Sequence, residues 1–321
     1  MINVEFMKVY KLCIETCMGV KPGEKVVIVT DPGNMDRAEA LAIASSMADA
    51  EPFILCQSSL NKFSVEPPEI ISECIKKADV ILVALSMMYS AIFFHTKARK
   101  EALKRGARFA CVWESPENEG LNIEDILQTR KLTEKISTML TNAEKVRVRT
   151  KNGTDITMNV KGRRSLMFSS ILNQPGDSGS IPDYAEAAIA PIEGSAEGVV
   201  VIDVMMAGLG AVKDPIVWKV KGGRVVEISG RDEAQQLKDL LKNKDANSSN
   251  IAELGVGTIV RGKVVGAFDD KKIFGTGHIA IGDNQFGDGN VASDIHLDGV
   301  FKKMTLELDG RIVMDDGVLL E

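Results

Sequence analysis

Short apolar runs that alternate with helix-like segments dominate the first half of the chain. The runs are K-V-V-I-V-T (25–30), P-F-I-L-C (52–56), V-I-L-V-A-L (80–85) and R-F-A-C-V-W (108–113). Segments with apolar residues at helical spacing lie between them. Strands that have no polar face and are separated by helices form parallel sheets covered on both sides. We therefore expect residues 1–141 to form a doubly wound parallel α/β domain.

The pattern changes near residue 142, where alternating segments and glycine turns replace the helices. K-V-R-V-R-T-K-N-G-T-D-I-T-M-N-V breaks at Asn152-Gly153, and M-T-L-E-L-D-G-R-I-V-M breaks at Asp309-Gly310. Both dipeptides are strong signals for a tight turn between two antiparallel strands. Only one helical pattern interrupts these strands. We expect residues 142–321 to form a mainly antiparallel β domain.

Composition and charge exclude several classes of protein. The 321 residues are 45% hydrophobic and 26% charged, with a net charge of −6 and five cysteines. No apolar stretch is long enough to cross a bilayer, and the N-terminal charges do not fit a signal peptide. An odd number of scattered cysteines does not suggest a disulfide framework. The acidic balance argues against nucleic acid as a partner. These features favour a cytoplasmic protein without a membrane or nucleic-acid partner.

The first domain carries no recognisable cofactor motif. It lacks both G-x-G-x-x-G and G-x-x-x-x-G-K-[ST], so neither the dinucleotide fingerprint nor the P-loop is present. Asp31 and Glu114 follow presumed strands and are expected to have loop or helix-capping roles. His95, in I-F-F-H-T, is expected to be a packed or capping residue. The chemistry is therefore expected in the second domain.

The stretch S-D-I-H-L-D-G-V places Asp294, His296 and Asp298 at alternate positions. In an extended strand, alternate side chains share one face. His278 lies upstream in F-G-T-G-H-I-A-I-G, a strand-like segment whose glycines allow a ligand or another backbone to approach closely. Imidazoles and carboxylates on neighbouring strands are the ligands that bind Zn²⁺, Fe²⁺, Co²⁺ or Mn²⁺. An exposed strand with a polar outer face is the simpler alternative.

Two further carboxylates lie in apolar or glycine-rich surroundings. Glu253 interrupts the hydrophobic run N-I-A-E-L-G-V-G, and Glu186 is the charged residue of Y-A-E-A-A-I-A-P. Burial of an ionised carboxylate costs on the order of several kcal/mol unless the group is paired. A metal ion would compensate this cost, although a turn cap or a neighbouring basic side chain would also do so.

Four motifs in order carry a resemblance to a known family. They are A-E-A-A-I-A-P-I-E-G-S-A-E-G-V-V-V-I-D, N-I-A-E-L-G-V-G, G-T-G-H-I-A-I-G and S-D-I-H-L-D-G-V. Together they resemble the signature segments of the aminopeptidase T type of metallopeptidase, including its shorter bacterial and archaeal relatives. The resemblance implies two metal ions in the second domain. The ligands that carry over by motif are Glu186, Glu253, His278, His296 and Asp298.

One ligand of that family does not carry over. Its catalytic tyrosine should follow His278, where this chain has D-N-Q-F, with Gln285 and Phe286. A second branch of similar sequences resembles a mononuclear iron dioxygenase that opens dihydroxypyridine rings. Two histidines and one carboxylate suffice for an Fe(II) site with open positions, which His278, His296 and Asp298 would supply. A protein that binds a ligand without turnover is the third alternative.

The leading expectation from these motifs is a metallo-aminopeptidase, a hydrolase that cleaves the N-terminal peptide bond of small peptides. The resemblance implies two divalent ions, Zn or Co, and a homodimer. The ions would polarise the scissile carbonyl and lower the pKa of a bound water. Glu253 or Glu186 would act as general base or bridge the ions. The alternatives replace this activity with Fe(II)-dependent ring opening of a small molecule, or with ligand binding alone.

Overall fold

The computed structural model describes residues 4–57, 66–86, 90, 92–113 and 118–320. Its chain divides into two compact units. The first contains Met1–Arg130 and Ser169–Tyr184, and the second contains Lys131–Phe168 and Ala185–Glu321. Glu114 lies outside the described residues. The first unit thus takes up a segment from the second half of the sequence. The division into domains 1–141 and 142–321 stays a prediction.

The elements follow the order that the sequence predicts, with strands and helices alternating early and mainly strands late. The helices are α1 (Val4–Leu12), continued by a π-helical turn at Cys13–Cys17, α2 (Met35–Met47), α3 (Glu69–Lys77), α4 (Lys97–Lys104), α5 (Ile123–Asn142) and α6 (Asp232–Leu241), with 3₁₀ turns at Pro32–Asn34 and Phe268–Lys272. The strands are β1 (Lys25–Thr30), β2 (Glu51–Cys56), β3 (Val80–Ala84), β4 (Arg108–Val112), β5 (Lys145–Arg149), β6 (Asp155–Asn159), β7 (Leu166–Phe168), β8 (Ser178–Ile181), β9 (Glu186–Ile189), β10 (Glu197–Ile202), β11 (Met205–Met206), β12 (Gly210–Ala211), β13 (Ile216–Lys221), β14 (Arg224–Ser229), β15 (Ile251–Gly257), β16 (Thr276–Gly282), β17 (His296–Lys302), β18 (Thr305–Leu308), β19 (Arg311–Asp315) and β20 (Val318–Leu319).

The first unit is built on a parallel sheet with strand order β2-β1-β3-β4-β8. Strands β3 and β4 are buried at every residue, as expected for strands covered on both faces. Asp31 accepts a hydrogen bond from the Asn34 side chain (2.9 Å) at the turn before α2, which fits its predicted loop role. His95 is exposed and not packed. The parallel α/β prediction is confirmed.

The second unit contains two antiparallel sheets. Their strand orders are β14-β13-β10-β6-β5-β18-β19-β20 and β12-β11-β17-β16-β15-β9-β7. Side chains from both sheets share one hydrophobic core, which includes Trp218 of β13, Leu254 of β15 and Ile279 of β16. A Cβ built at Gly299 of β17 would lie 2.5 Å from the Cδ1 atom of Ile202 in β10. The sheets therefore pack closely face to face, and the predicted antiparallel β domain is confirmed.

Strand alternation gives the second of these sheets two different faces. Leu254 and Val256 of β15, together with Ile279 and Ile281 of β16, enter the core. The alternate positions between them point to the opposite face because the side-chain period of a strand is two. The residues with metal-binding chemistry lie on that opposite face. None of the helices in the described ranges is both long and apolar enough to span a bilayer.

Replacement of Trp218 by alanine tests the shared core. Trp218 is fully buried between the two sheets. Because Trp-to-Ala changes in cores typically remove about 3–5 kcal/mol, Trp218→Ala should lower the free energy of unfolding by that amount. Chemical denaturation provides the measurement. Val226→Ala on β14, where the side chain is 57% exposed, is the control and should cost less than about 1 kcal/mol. Equal losses in the two variants would contradict the proposed core.

Candidate metal centre

Four adjacent strands bring the five sequence-predicted ligands to one face of the second sheet. Glu186 lies on β9, Glu253 on β15, His278 on β16, and His296 and Asp298 on β17. Strand pairing sets Ala280 of β16 directly between Glu253 and Asp298. The small side chain at this position leaves open space between the two carboxylates. The sheet therefore assembles residues that are 112 positions apart in the chain (186 to 298).

Two glycines of β15 make room for the centre. A Cβ at Gly255 would lie 1.9 Å from the Cε1 atom of His278, so the imidazole packs directly on the strand backbone. A Cβ at Gly257 would lie 2.3 Å from the carbonyl oxygen of Ile273, which follows the 3₁₀ turn Phe268–Lys272. The sequence E-L-G-V-G thus alternates a polar group and two spaces on the same face of one strand.

Glu253 connects the two histidines. The Nε2 atom of His278 lies 3.0 Å from Glu253 Oε1, and the Nε2 atom of His296 lies 3.8 Å from Glu253 Oε2. The same nitrogen of His296 lies 3.3 Å from Asp298 Oδ1. One ligand atom from each of Glu253, His296 and Asp298 falls within 4.8 Å of the others, a spacing compatible with a shared ion.

The tautomer of His296 is fixed by the backbone. Its Nδ1 atom lies 2.8 Å from the carbonyl oxygen of Asp283, which can only accept a hydrogen bond. Nδ1 therefore carries a proton and donates it to this carbonyl. The arrangement directs Nε2 toward Glu253 and Asp298, as is usual for a histidine that ligates a metal.

Glu186, on β9, approaches the same nitrogen of His278, with its Oε2 atom 3.8 Å from the His278 Nε2 atom. Its Oε1 atom lies 3.5 Å from the Nζ atom of Lys271. Asp294 does not join the cluster. It precedes the first residue of β17, is exposed, and donates its backbone N–H to the Asp245 carboxylate. The predicted shared face of Asp294, His296 and Asp298 therefore holds only for the last two.

Two further residues of the centre have no counterpart in the sequence prediction. The Nζ atom of Lys271 lies 2.9 Å from Asp298 Oδ2, and its side chain is 8% exposed. The Phe286 ring meets the His296 ring edge to face, with 4.8 Å between centroids. Lys271 belongs to the run F-D-D-K-K, which is typical of an exposed turn, so no local pattern indicates its burial. Phe286 lies in the segment that lacks the tyrosine.

Opposite charges dominate the electrostatics of the centre. Burial alone would raise the pKa of Asp298, but the charges of Lys271 and His278 and the hydrogen bond from His296 hold it well below its usual range. Burial alone would lower the pKa of His296, but its hydrogen bond with Asp298 and the charge of Glu253 raise that pKa to about 9. The Asp298 carboxylate is therefore ionised beside positive charge.

The residues present fit a divalent metal ion. Among the described residues, Glu186 Oε2 and His278 Nδ1 are buried atoms without a hydrogen-bond partner. Buried polar atoms of this kind normally find a partner. The donor set of imidazoles and carboxylates suits a divalent transition metal. The chemistry of these residues therefore supports the expectation of a divalent metal site.

Comparison with known proteins gives the family. A family model described as NicX: 2,5-dihydroxypyridine 5,6-dioxygenase matches residues 5–321. The chain belongs to the NicX family. A comparison with curated proteins finds no match.

Two solved structures share the fold of this NicX family member. One is a 2,5-dihydroxypyridine dioxygenase from Pseudomonas putida KT2440, with a TM-score of 0.80 and 19% identity over 98% of this chain and 96% of that one. The other is wild-type AmpT from Thermus thermophilus, with a TM-score of 0.69 and 16% identity over 99% of each chain. At these identities, the likeness shows the fold alone.

These comparisons correct the functional prediction. The expected metallo-aminopeptidase, and with it the hydrolase and metallopeptidase classes, is wrong because the NicX family model matches nearly the whole chain. The AmpT structure supports only the shared fold. The error has a structural reason: the motifs around Glu253, His278 and His296 correspond to the strands that build the site. The dioxygenase and AmpT structures share this fold, so these motifs do not identify the reaction.

Replacement of Gly255 by alanine tests the packing of His278. The added methyl group would overlap the imidazole, so His278 must move away from Glu253. We expect Gly255→Ala to weaken Mn²⁺ binding by at least about tenfold, the lower end of the effect of lost outer-shell partners. Isothermal calorimetry on the full chain provides the measurement. Gly33→Ala, in the 3₁₀ turn Pro32–Asn34 of the first unit, is the control and should bind Mn²⁺ normally. Unchanged affinity in Gly255→Ala would remove His278 from the metal centre.

Proposed function

We propose that this protein is an Fe(II)-dependent dioxygenase that opens the ring of a dihydroxylated pyridine. The observation that carries the proposal is the cluster of three buried carboxylates, the buried His278 and the half-buried His296 in a chain of the NicX family. A dihydroxypyridine is the substrate class named by the family description. The 2,5-dihydroxypyridine dioxygenase from Pseudomonas putida, which shares the fold, supports the same choice.

His278, His296 and Asp298 would hold the iron. Two histidines and one carboxylate form the facial set of non-haem Fe(II) oxygenases, which leaves positions open for O₂ and substrate. Glu253 would remain beside both imidazoles, 3.0 Å from the Nε2 atom of His278 and 3.8 Å from that of His296. Donor chemistry thus selects His278 as the third ligand, although Glu253 belongs to the more compact triplet.

The reaction balances without a further reductant. Bound Fe(II) supplies the redox chemistry through which O₂ reacts with the electron-rich ring. The bond between ring carbons 5 and 6 breaks, and each of these carbons gains one oxygen atom from O₂. The carbon that carried the hydroxyl group becomes a carboxylic acid, and its neighbour becomes a formyl carbon.

Glu186 would accept the proton of the substrate. Its buried Oε2 atom has no hydrogen-bond partner in the part of the chain that the structure describes. The carboxylate would accept the proton of a ring hydroxyl and leave a more electron-rich substrate. A carboxylate within hydrogen-bond reach of the reacting group is the usual general base.

Phe286 would contact the ring of the substrate. It packs edge to face on His296 and is 46% exposed, so one aromatic surface remains accessible beside an iron ligand. Stacked or edge-to-face aromatic pairs contribute about 0.5–1.5 kcal/mol beyond area burial. A planar ring held at the centre would gain this contact.

Oxygen consumption tests the proposed reaction. Protein loaded with Fe²⁺ under anaerobic conditions should consume one O₂ for each 2,5-dihydroxypyridine that disappears. His296→Ala should lose most of its iron and more than about 100-fold in rate, since even outer-shell changes cost 10–100-fold. Glu253→Gln should keep more iron than His278→Ala. A wild-type protein that binds iron and consumes no O₂ with dihydroxylated pyridines would refute the proposed function.

A change at Phe286 separates binding from chemistry. Phe286→Leu removes the aromatic surface but keeps apolar volume. We expect KM for the pyridine to rise by about 2- to 13-fold, which corresponds to the loss of about 0.5–1.5 kcal/mol from one aromatic pair. The value of kcat should change little. Steady-state O₂ uptake provides both constants. Phe53→Leu, at an exposed aromatic of the first unit, is the matched control. A fall in kcat without a change in KM would contradict the stacking role.

A further inference from the structure

Lys271 occupies a position between two of the buried carboxylates. Its Nζ atom lies 2.9 Å from Asp298 Oδ2 and 3.5 Å from Glu186 Oε1. Asp298 thereby uses its two oxygens differently, because Oδ1 lies toward His296 and Oδ2 toward the ammonium group. In a two-ion site, a carboxylate at such a position would present one oxygen to each ion, with the ions about 3.5–4 Å apart.

The backbone around Lys271 is fixed by hydrogen bonds. The buried Asp270 carboxylate accepts hydrogen bonds from the backbone N–H groups of Val265, Gly266 and Ala267. The hydroxyl group of Thr276 donates to the Asp270 carbonyl oxygen (2.9 Å). Gly257 allows this turn to lie directly against β15, as described above. The ammonium group is therefore held at the centre by the fold and is not a chance contact of a flexible side chain.

The ring of Phe268 also faces the ammonium group. Lys271 Nζ lies 5.5 Å from the centre of this ring. A cation within about 6 Å of an aromatic face is attracted by the ring. This contact further favours a positive charge at the position that Lys271 occupies.

The charges balance with a single metal ion. Glu186, Glu253 and Asp298 are each no more than 5% exposed at the side chain. Three negative charges on these carboxylates would be balanced by the two positive charges of one divalent ion and the one positive charge of the ammonium group. A second divalent ion would leave two excess positive charges in a buried region, which is strongly unfavourable at low dielectric constant.

We propose that the Lys271 ammonium group takes the place of a second metal ion and restricts the centre to one divalent cation per chain. The inference depends on the metal centre and is independent of the oxygenase reaction. Lys271 is thus a positioning residue: it neutralises Glu186 and one oxygen of Asp298, and leaves the other Asp298 oxygen for the metal. A single ion per chain differs from the two ions that the aminopeptidase T resemblance implies.

Metal stoichiometry tests the proposal without any assay of turnover. Metal-free full-length protein is equilibrated with Mn²⁺, and bound metal per chain is measured by elemental analysis after gel filtration. Wild-type protein should bind one Mn²⁺. Lys271→Met, which keeps the length but removes the charge, should bind two, and the electron paramagnetic resonance spectrum should show coupling between neighbouring Mn²⁺ ions. Lys271→Arg retains a positive charge and should bind one.

The adjacent Lys272 provides a matched control. It is also buried, but its Nζ atom pairs with Asp269 at 2.5 Å. Lys272→Met should therefore bind one Mn²⁺. Two ions in the wild-type protein would overturn the proposal even if no variant folds. One ion in Lys271→Met, or two in Lys272→Met, would overturn it as well. One ion in a wild-type protein that consumes no O₂ would refute the proposed reaction and leave this inference intact.

Discussion

Three carboxylates lie buried side by side on one face of an antiparallel sheet, and the charge that compensates them governs the rest of the centre. Each ionised carboxylate taken out of water costs on the order of several kcal/mol unless a cation or several donors replace the lost hydration. The described chain supplies Lys271 and two histidines near Glu186, Glu253 and Asp298. The low pKa of Asp298 follows from this arrangement. A bound metal ion would complete the compensation.

The centre also depends on small residues. Gly255 accommodates the His278 ring, Gly257 accommodates the turn that carries Lys271, and Ala280 separates Glu253 from Asp298. The opposite face of the same strands is apolar and packs on the other sheet of this unit, which contains β10 and β13. Stability and chemistry are thus divided between two faces of one sheet. This division allows the polar face to change while the hydrophobic core is retained.

One fold can carry more than one chemistry when the core and the ligands lie on different faces of a sheet. The dioxygenase from Pseudomonas putida and AmpT from Thermus thermophilus both share the fold of this chain. Motifs such as E-L-G-V-G and H-L-D-G specify strand positions, spaces and ligands, and these features suit more than one metal reaction. The segment with Gln285 and Phe286 was the informative departure. There the structure places an aromatic ring against His296 where the peptidase resemblance required a hydroxyl group.

The sequence by itself determined the two fold classes and the shared face of His296 and Asp298. Both follow from local periodicity: apolar runs between helices predict the parallel sheet, and alternation along β17 places His296 and Asp298 together. Only the tertiary structure decided the remaining features. In the structure, Asp294 lies outside the cluster, and residues 178–181 pair with the first sheet as β8. Lys271 lies buried between Asp298 and Glu186. These outcomes depend on where strands begin and on contacts between distant segments, and neither leaves a periodic signal in the sequence.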